Sequence, residues 1–300
     1  MTDFMASSLT ILLLLIGMFV VLGVMSLMLK RREITVKSPV DKEMLTRTAA
    51  HGLQDQIQNM QMDLMGTQLL ATLIVSLPFS YFGMKAHILS NQFPWGLALC
   101  ITLGLTFAAY KTWRQFSTLE KLRLGYTAEI ATANELIGLQ GKGYQVFHDI
   151  QADGFNIDHL AIGRNGVFTI ETKGRHKRNR DSKASSKGNG KNYQLRFKDG
   201  RLCFPSWVET KPIEQALRQA NWVNQWLSKA TGNPVTSTPV LVFPGWFVTS
   251  QSKPPFPILN HKQLVKVLPT AGNQELTQQQ VDAIVYQVTQ RCLSKKTLSK

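Results

Sequence analysis

Asp158, Glu171 and Lys173 are the residues whose types and spacing carry chemistry in this sequence. They lie in NIDHLAIGRNGVFTIETK (residues 156–173), which reads as two short strands, 157–163 and 167–173, around an Arg-Asn-Gly turn that closes at Asn165–Gly166. Side chains alternate along a strand, so Glu171 and Lys173 project to one face and Thr172 to the other. The hairpin sets Asp158, near the start of the first strand, opposite the end of the second. Two carboxylates and an ammonium thus converge at one end of an otherwise apolar hairpin, where charge is tolerated when it is paired or holds a metal. Such a set suits phosphodiester hydrolysis. The acids would hold a hard cation such as Mg²⁺, and the lysine would orient the attacking water and offset charge developing on phosphorus.

The spacing Asp-x12-Glu-x-Lys is that of the PD-(D/E)XK nuclease superfamily. Together with Gly125-Tyr-Thr-Ala-Glu129, Ile157-Asp-His-Leu160, Gly166-Val-Phe-Thr-Ile-Glu-Thr-Lys173 and Pro212-Ile-Glu-Gln215, it resembles the nuclease-related domain (NERD) family over roughly residues 120–245. The resemblance implies an α/β fold, a central mixed sheet flanked by helices in the order helix-strand-strand-strand-helix-strand. It further implies that Asp158 and Glu171 hold Mg²⁺ or Mn²⁺ with help from the Thr172 carbonyl, and that Lys173 positions the nucleophilic water. Glu129 would reach the metal site from a helix, and Gln215 would act as an auxiliary glutamine supporting the site or the substrate strand.

The elements that must position these residues are legible in the periodicities. Residues 127–140 predict a helix, with Glu129, Ala133 and Leu136 on an inward stripe; an acid favouring the helix dipole in a first turn is the other reading of Glu129. Residues 144–150 predict the first strand. His159 points away from Asp158 and reads as a buried structural histidine rather than a catalytic one, and His176 as a solvated one. A second hairpin, 191–197 and 201–204, surrounds Asp199-Gly200. Pro212 opens a helix whose stripe Gln215, Gln219, Trp222, Trp226 either packs on the sheet or offers rings to bases. Residues 235–248 predict one further buried strand. Residues 264–268 and a helix over 277–292 complete the layer.

The formal charge is +15, and the part from Lys111 onward holds 27 basic against 13 acidic residues. A polyanion is the expected partner there, either nucleic acid or anionic lipid, with simple solubilising charge as the plainer reading. The basic segment Arg175, Lys177, Arg178, Arg180, Lys183, Lys187 and Lys191 leaves the end of the hairpin directly. It is expected to lie along a phosphate backbone, the alternatives being a solvated loop or a lipid contact. Cys100, Cys203 and Cys292 are isolated, which argues against a zinc site or disulfide framework and fits a reducing compartment.

Upstream, residues 9–29 are uncharged and closed by Lys30-Arg31-Arg32, as in a membrane anchor with the N-terminus outside. Residues 69–84 and 93–110, joined by a short loop, read as a membrane hairpin. The expected organisation is an anchor over 1–32, a cytoplasmic helical segment over 33–67, a hairpin over 68–113 and a nuclease-like domain over 115–300. The helical segment either self-associates through residues 40–65 or rests on its own domain or the membrane. The whole reads as a multi-pass protein of a bacterial-type inner membrane whose cytoplasmic domain is a Mg²⁺-dependent nuclease acting on DNA, with RNA as the other polynucleotide admitted. A catalytically silent, tethered nucleic-acid-binding module is the rival.

Overall fold

Strand periodicity sets the centre of the fold. The computed structural model describes residues 24, 26–28, 30–31, 46–86, 95–177 and 193–293. They fall into two units, residues 1–41 with 58–119, and residues 42–57 with 120–300. In the second unit β1 (Gln145–Gln151), β2 (Asn156–Gly163) and β3 (Gly166–Thr172) form an antiparallel meander. After two intervening strands, β4 (Gln194–Lys198) and β5 (Arg201–Cys203), come the short β6 (Val208–Glu209) and a helix. Then β7 (Ser237–Val242) pairs parallel to β3, and β9 (Ile258–Leu259) parallel to β7. The first sheet therefore runs β1-β2-β3-β7-β9 and is mixed, as the α/β reading required.

Alternation distributes its side chains to two layers. On one face Leu160, Ile162 and Val167 pack with Val223 and Leu227 of a helix over Lys211–Thr231 and with Ile284 and Val288 of one over Gln278–Cys292. On the other, Ala161, Phe168 and Ile170 pack with Leu136, Leu139, Leu264 and Leu268. Thr277 caps the Gln278–Cys292 helix through a reciprocal pair with Gln280, so the sequence boundary was well marked.

One expectation about strands needs correction. Residues 235–248 are not one strand: Gly245, at φ 76°, turns the chain after β7, and β8 (Phe247–Ser250) joins a second sheet of order β6-β5-β4-β8. The hairpin expected around Asp199-Gly200 is present, both residues having positive φ as a tight two-residue turn demands, and it forms part of this second sheet.

The helices also differ from expectation. Numbered in chain order, α1 is His51–Ala86, α2 is Trp95–Gln140, α3 is Lys211–Thr231, α4 is Leu264–Val267 and α5 is Gln278–Cys292. The predicted helix 127–140 is only the end of the 46-residue α2. Among the described residues no helix is long and apolar enough to cross a membrane, so the expected spanning hairpin over 69–84 and 93–110 is not supported. Both runs are punctuated by Thr, Ser and Gly and continue without a break into polar helix, Gln54–Asp63 on one side and Lys111–Arg114 on the other. The remaining expected span, residues 9–29, lies almost wholly outside the described residues.

Candidate active site

The β2–β3 register, with His159 opposite Ile170 and Gly163 opposite Gly166, carries Asp158 to the position opposite Glu171. Opposed residues share a face of the sheet, which here is the face covered by α3. One oxygen of Asp158 accepts the Thr172 N–H at 2.7 Å, closing the open end of the hairpin. Glu171 is buried; its Oε1 is met by the Lys173 ammonium and by Gln215 Nε2 at 2.8 Å. Its Oε2 has no hydrogen-bond partner. A lone carboxylate oxygen inside a protein is costly, and a cation or a donor would satisfy it.

The supporting elements explain this placement. Pro212 fits the first turn of α3, where its lack of an N–H costs nothing, and Gln215, one position past that turn, reaches Glu171 on the sheet. Thr172 projects to the opposite face, its hydroxyl 3.2 Å from that of Thr132 on α2. Gly174 lets the chain pass tightly under α2, since a Cβ there would come within 2.8 Å of the Leu124 carbonyl; the close passage holds Lys173 against the site. Glu129 lies far inside α2 rather than in a first turn, which removes the helix-dipole reading.

Glu129, Asp149 and Asp158 together line a polar cleft of about 520 Å³, whose other wall is Gly52, Leu53 and Gln56 at the start of α1. Asp149 and this wall were missed in the sequence. Asp149, at φ 48°, accepts Arg47 Nη2 at 2.6 Å, Arg47 Nε at 2.8 Å, Gly52 N–H at 2.9 Å and Asn156 Nδ2 at 2.8 Å. Arg47 and Gly52 lie about a hundred residues away in sequence, where no local signal announces them. Within residues 46–57, Arg47 and Gly52 thus bond to their own domain.

Electrostatically the site is over-supplied with negative charge. Burial, then the charges of Asp149 and Glu171, push Glu129 up to about 8, with Lys173 pulling the other way. Burial, then Glu171 and Glu129, hold Asp158 well above the usual carboxylate range against the Thr172 N–H and Lys173. Fully ionised, Glu129, Asp158 and Glu171 with Lys173 leave two negative charges, which one divalent cation would balance. Among the described residues no three acidic, His or Cys side chains stand close enough to ligate one ion by themselves. The donors do fit a magnesium-like ion held by one or two carboxylates and completed by water, and the unpartnered Glu171 oxygen is the observation that favours it.

A pH dependence follows. Glu129 keeps its proton in the folded protein up to about pH 8 but loses it near 4.5 when unfolded, so the folded state binds more protons between those values. Its contribution is fully present below pH 4.5 and is lost as pH rises through about 8. In chelator, the denaturation midpoint should fall across that window, and Glu129→Gln should flatten the fall. An unchanged slope in the variant would remove Glu129 from the charge cluster.

The remaining expected residues are placed as follows. His159 is buried with its Nδ1 2.8 Å from that of His148 on β1; burial lowers the pKa of both, so the pair is structural and neutral. Trp222 and Trp226 pack on each other at 5.2 Å, against Phe155 and beneath Arg291, so they serve packing rather than bases. Gln219 donates to the Asn156 carbonyl at 3.1 Å. Arg175 is engaged by Glu209 through Nε at 2.9 Å and Nη2 at 2.8 Å. Lys177 is exposed, 5.8 Å from the Trp246 ring centre. Arg178, Arg180, Lys183, Lys187 and Lys191 lie outside the described residues. The three cysteines are free.

Residues 124–244 match the nuclease-related domain family, so a domain of that family is found in this part of the chain. The matched stretch spans every residue of the site except Arg47 and the cleft wall Gly52, Leu53 and Gln56. No curated protein and no solved structure matches the chain.

Proposed function

We propose, from the nuclease-related domain at residues 124–244, that this chain is a metal-dependent nuclease that hydrolyses phosphodiester bonds in DNA. The observation that carries the reading is the pairing of Asp158 with Glu171 across one hairpin end, with Lys173 on Glu171 and one Glu171 oxygen unpartnered. Asp158 and Glu171 would hold Mg²⁺ or Mn²⁺, with Glu129 and the Thr172 carbonyl as supporting groups. The ion would supply Lewis acidity toward a phosphoryl oxygen. Gln215 fixes the rotamer of Glu171 by its hydrogen bond. Lys173, held at the rim, would align an attacking water and neutralise the charge growing on the phosphate. Arg175, Lys177 and the basic stretch through Lys191 would take up the flanking backbone.

The run over residues 9–29 with Lys30-Arg31-Arg32 supports placing this activity at the inner face of a bacterial-type plasma membrane. Exposed Leu99, Leu103, Phe107 and Trp113 on α2 are consistent with an apolar neighbour for the first unit. Residues 40–65 are the segment through which self-association would be sought.

The test is incubation of the purified full chain with plasmid DNA and a single-stranded RNA in Mg²⁺, Mn²⁺ or EDTA. Cleavage of DNA that requires the cation is expected; cleavage undiminished in EDTA would overturn the metal-dependent reading. A silent binding module is the second reading, favoured by the way the site satisfies itself: Lys173 is spent on Glu171 and Asp158 on the Thr172 amide. Cation-independent DNA binding without cleavage in any divalent metal would select it.

A further inference from the structure

Lys173 lies midway between two residues that are both fastened to one short segment of chain. Glu171, two residues before it, accepts Gln215 Nε2 at 2.8 Å. Arg175, two residues after it, donates to the Glu209 carboxylate through Nε at 2.9 Å and through Nη2 at 2.8 Å. Glu209 ends β6 and Gln215 lies near the start of α3, so the two anchors are close neighbours in sequence. Arg175 is held elsewhere too: its carbonyl accepts Trp246 Nε1 at 3.1 Å, and its Nη1 donates back to the Gly174 carbonyl at 2.9 Å. Glu209 is fixed in turn by Trp207, whose Nε1 donates to its Oε1 at 2.7 Å and whose ring stacks on Phe204 at 4.3 Å and 6°. Against burial, which would raise it, the Arg175 and Trp207 hydrogen bonds and the charges of Arg175 and Lys173 hold the Glu209 carboxyl below its ordinary value.

We propose that Glu209 is a positioning residue for Lys173, acting through Arg175. The proposal deepens the nuclease reading and rests on it for the role of the Lys173 ammonium. That ammonium rides on a flexible four-carbon stem, so its aim depends on a backbone that does not shift beneath it. Up to Thr172 the ladder with β7 supplies this, and the Lys173 N–H still donates to the Val242 carbonyl at 2.8 Å. Past that point β3 has ended, and the charge-assisted fork of Arg175 on Glu209 takes over the restraint. The sign of the charge makes the role testable. A carboxylate beside a polyanion site repels DNA, so without a positioning role its removal would only tighten binding. As a brace, Glu209 supports the reaction while opposing the encounter.

The experiment follows two readouts on the full chain. In EDTA, modification of the Lys173 amine by an N-hydroxysuccinimide ester is timed by mass spectrometry. Glu209→Ala should speed it about fivefold and leave Lys142, bonded to the Val265 carbonyl, unchanged. In Mg²⁺, single-turnover cleavage of plasmid DNA at saturating protein should slow about tenfold in Glu209→Ala, while DNA affinity in EDTA stays within about twofold of the parent or tightens. Glu209→Gln, which keeps an acceptor oxygen for Arg175, should lie between the two. Arg175→Lys keeps the charge but cannot grip both carboxylate oxygens, so it should act as Glu209→Ala does, and combining the two should add little. Should Glu209→Ala lose the parent's melting temperature, Glu209→Gln and Arg175→Lys carry the same test. Parent-like Lys173 modification or parent-like cleavage in both Glu209→Ala and Arg175→Lys would overturn the brace, and the brace alone if the parent cuts. Faster modification in a chain that never cuts DNA refutes the nuclease reading alone.

Discussion

Asp158→Asn and Lys173→Met are each expected to lower metal-dependent DNA cleavage by about 10³-fold, with the fold intact. The two act at different points. Asp158 faces Glu171 across the hairpin, and its carboxyl is held well above the usual range mainly by burial and by the Glu171 and Glu129 charges. Removing its charge relieves that repulsion, so Asp158→Asn should melt no lower than the parent in chelator while losing the extra stabilisation that Mg²⁺ gives the parent. Loss of activity together with unchanged or raised stability cannot be explained by misfolding. Lys173→Met leaves Glu171 Oε1 with Gln215 alone. Lys173→Arg should rescue poorly, because a planar fork replaces a compact ammonium in a place set by the Gly174 passage under α2. The decisive measurement is single-turnover cleavage at saturating Mg²⁺ beside thermal melts of the same samples. Parent-like rates in both variants would mean that the hairpin end is not where hydrolysis happens.

The second large effect concerns stability. Asp149→Ala is expected to destabilise the second unit by about 3–5 kcal/mol, because it strands Arg47, whose side chain is mostly buried, and removes the acceptor of the Gly52 and Asn156 donors. Asp149 also sits at φ 48°, a conformation alanine accepts poorly and asparagine well. Asp149→Asn therefore isolates the charge from the backbone and should cost less than Ala. A fragment beginning at residue 120 should behave like Asp149→Ala, since it lacks Arg47 and Gly52 and leaves a buried carboxylate without its guanidinium. Urea unfolding of the parent, both variants and the fragment tests this. A fragment as stable as the intact chain would show that residues 46–57 contribute nothing to the fold.

How far the sequence announced this arrangement depends on the range over which each contact acts. Asp158, Glu171 and Lys173 were legible because strand alternation and one tight turn are local rules, and a thirteen-residue separation lies within a single hairpin. The Thr277 cap and the Asp199-Gly200 turn were legible for the same reason. Pairing of β8 with β4 was not. The two strands are some fifty residues apart, both are short, and only Gly245 hints that the chain turns between β7 and β8. The role of Arg47 was hidden for a stronger reason: its partner is 102 residues on, and an isolated arginine beside a polar helix has no distinguishing pattern. The helix boundaries failed differently. Apolar runs marked correctly where helix occurs, but helix propagates through polar residues as readily as apolar ones, so run length said little about helix length.

The turn at Pro244–Gly245 joins the two sheets through buried Phe243 and Trp246, with Phe243 N–H bonded to the Leu259 carbonyl at 2.9 Å. Such a joint has almost no play. The two sheets should therefore open together, with amides of β4 and β8 as slow to exchange as those of β3. Exchange in β4 well ahead of β3 would mean that the joint yields.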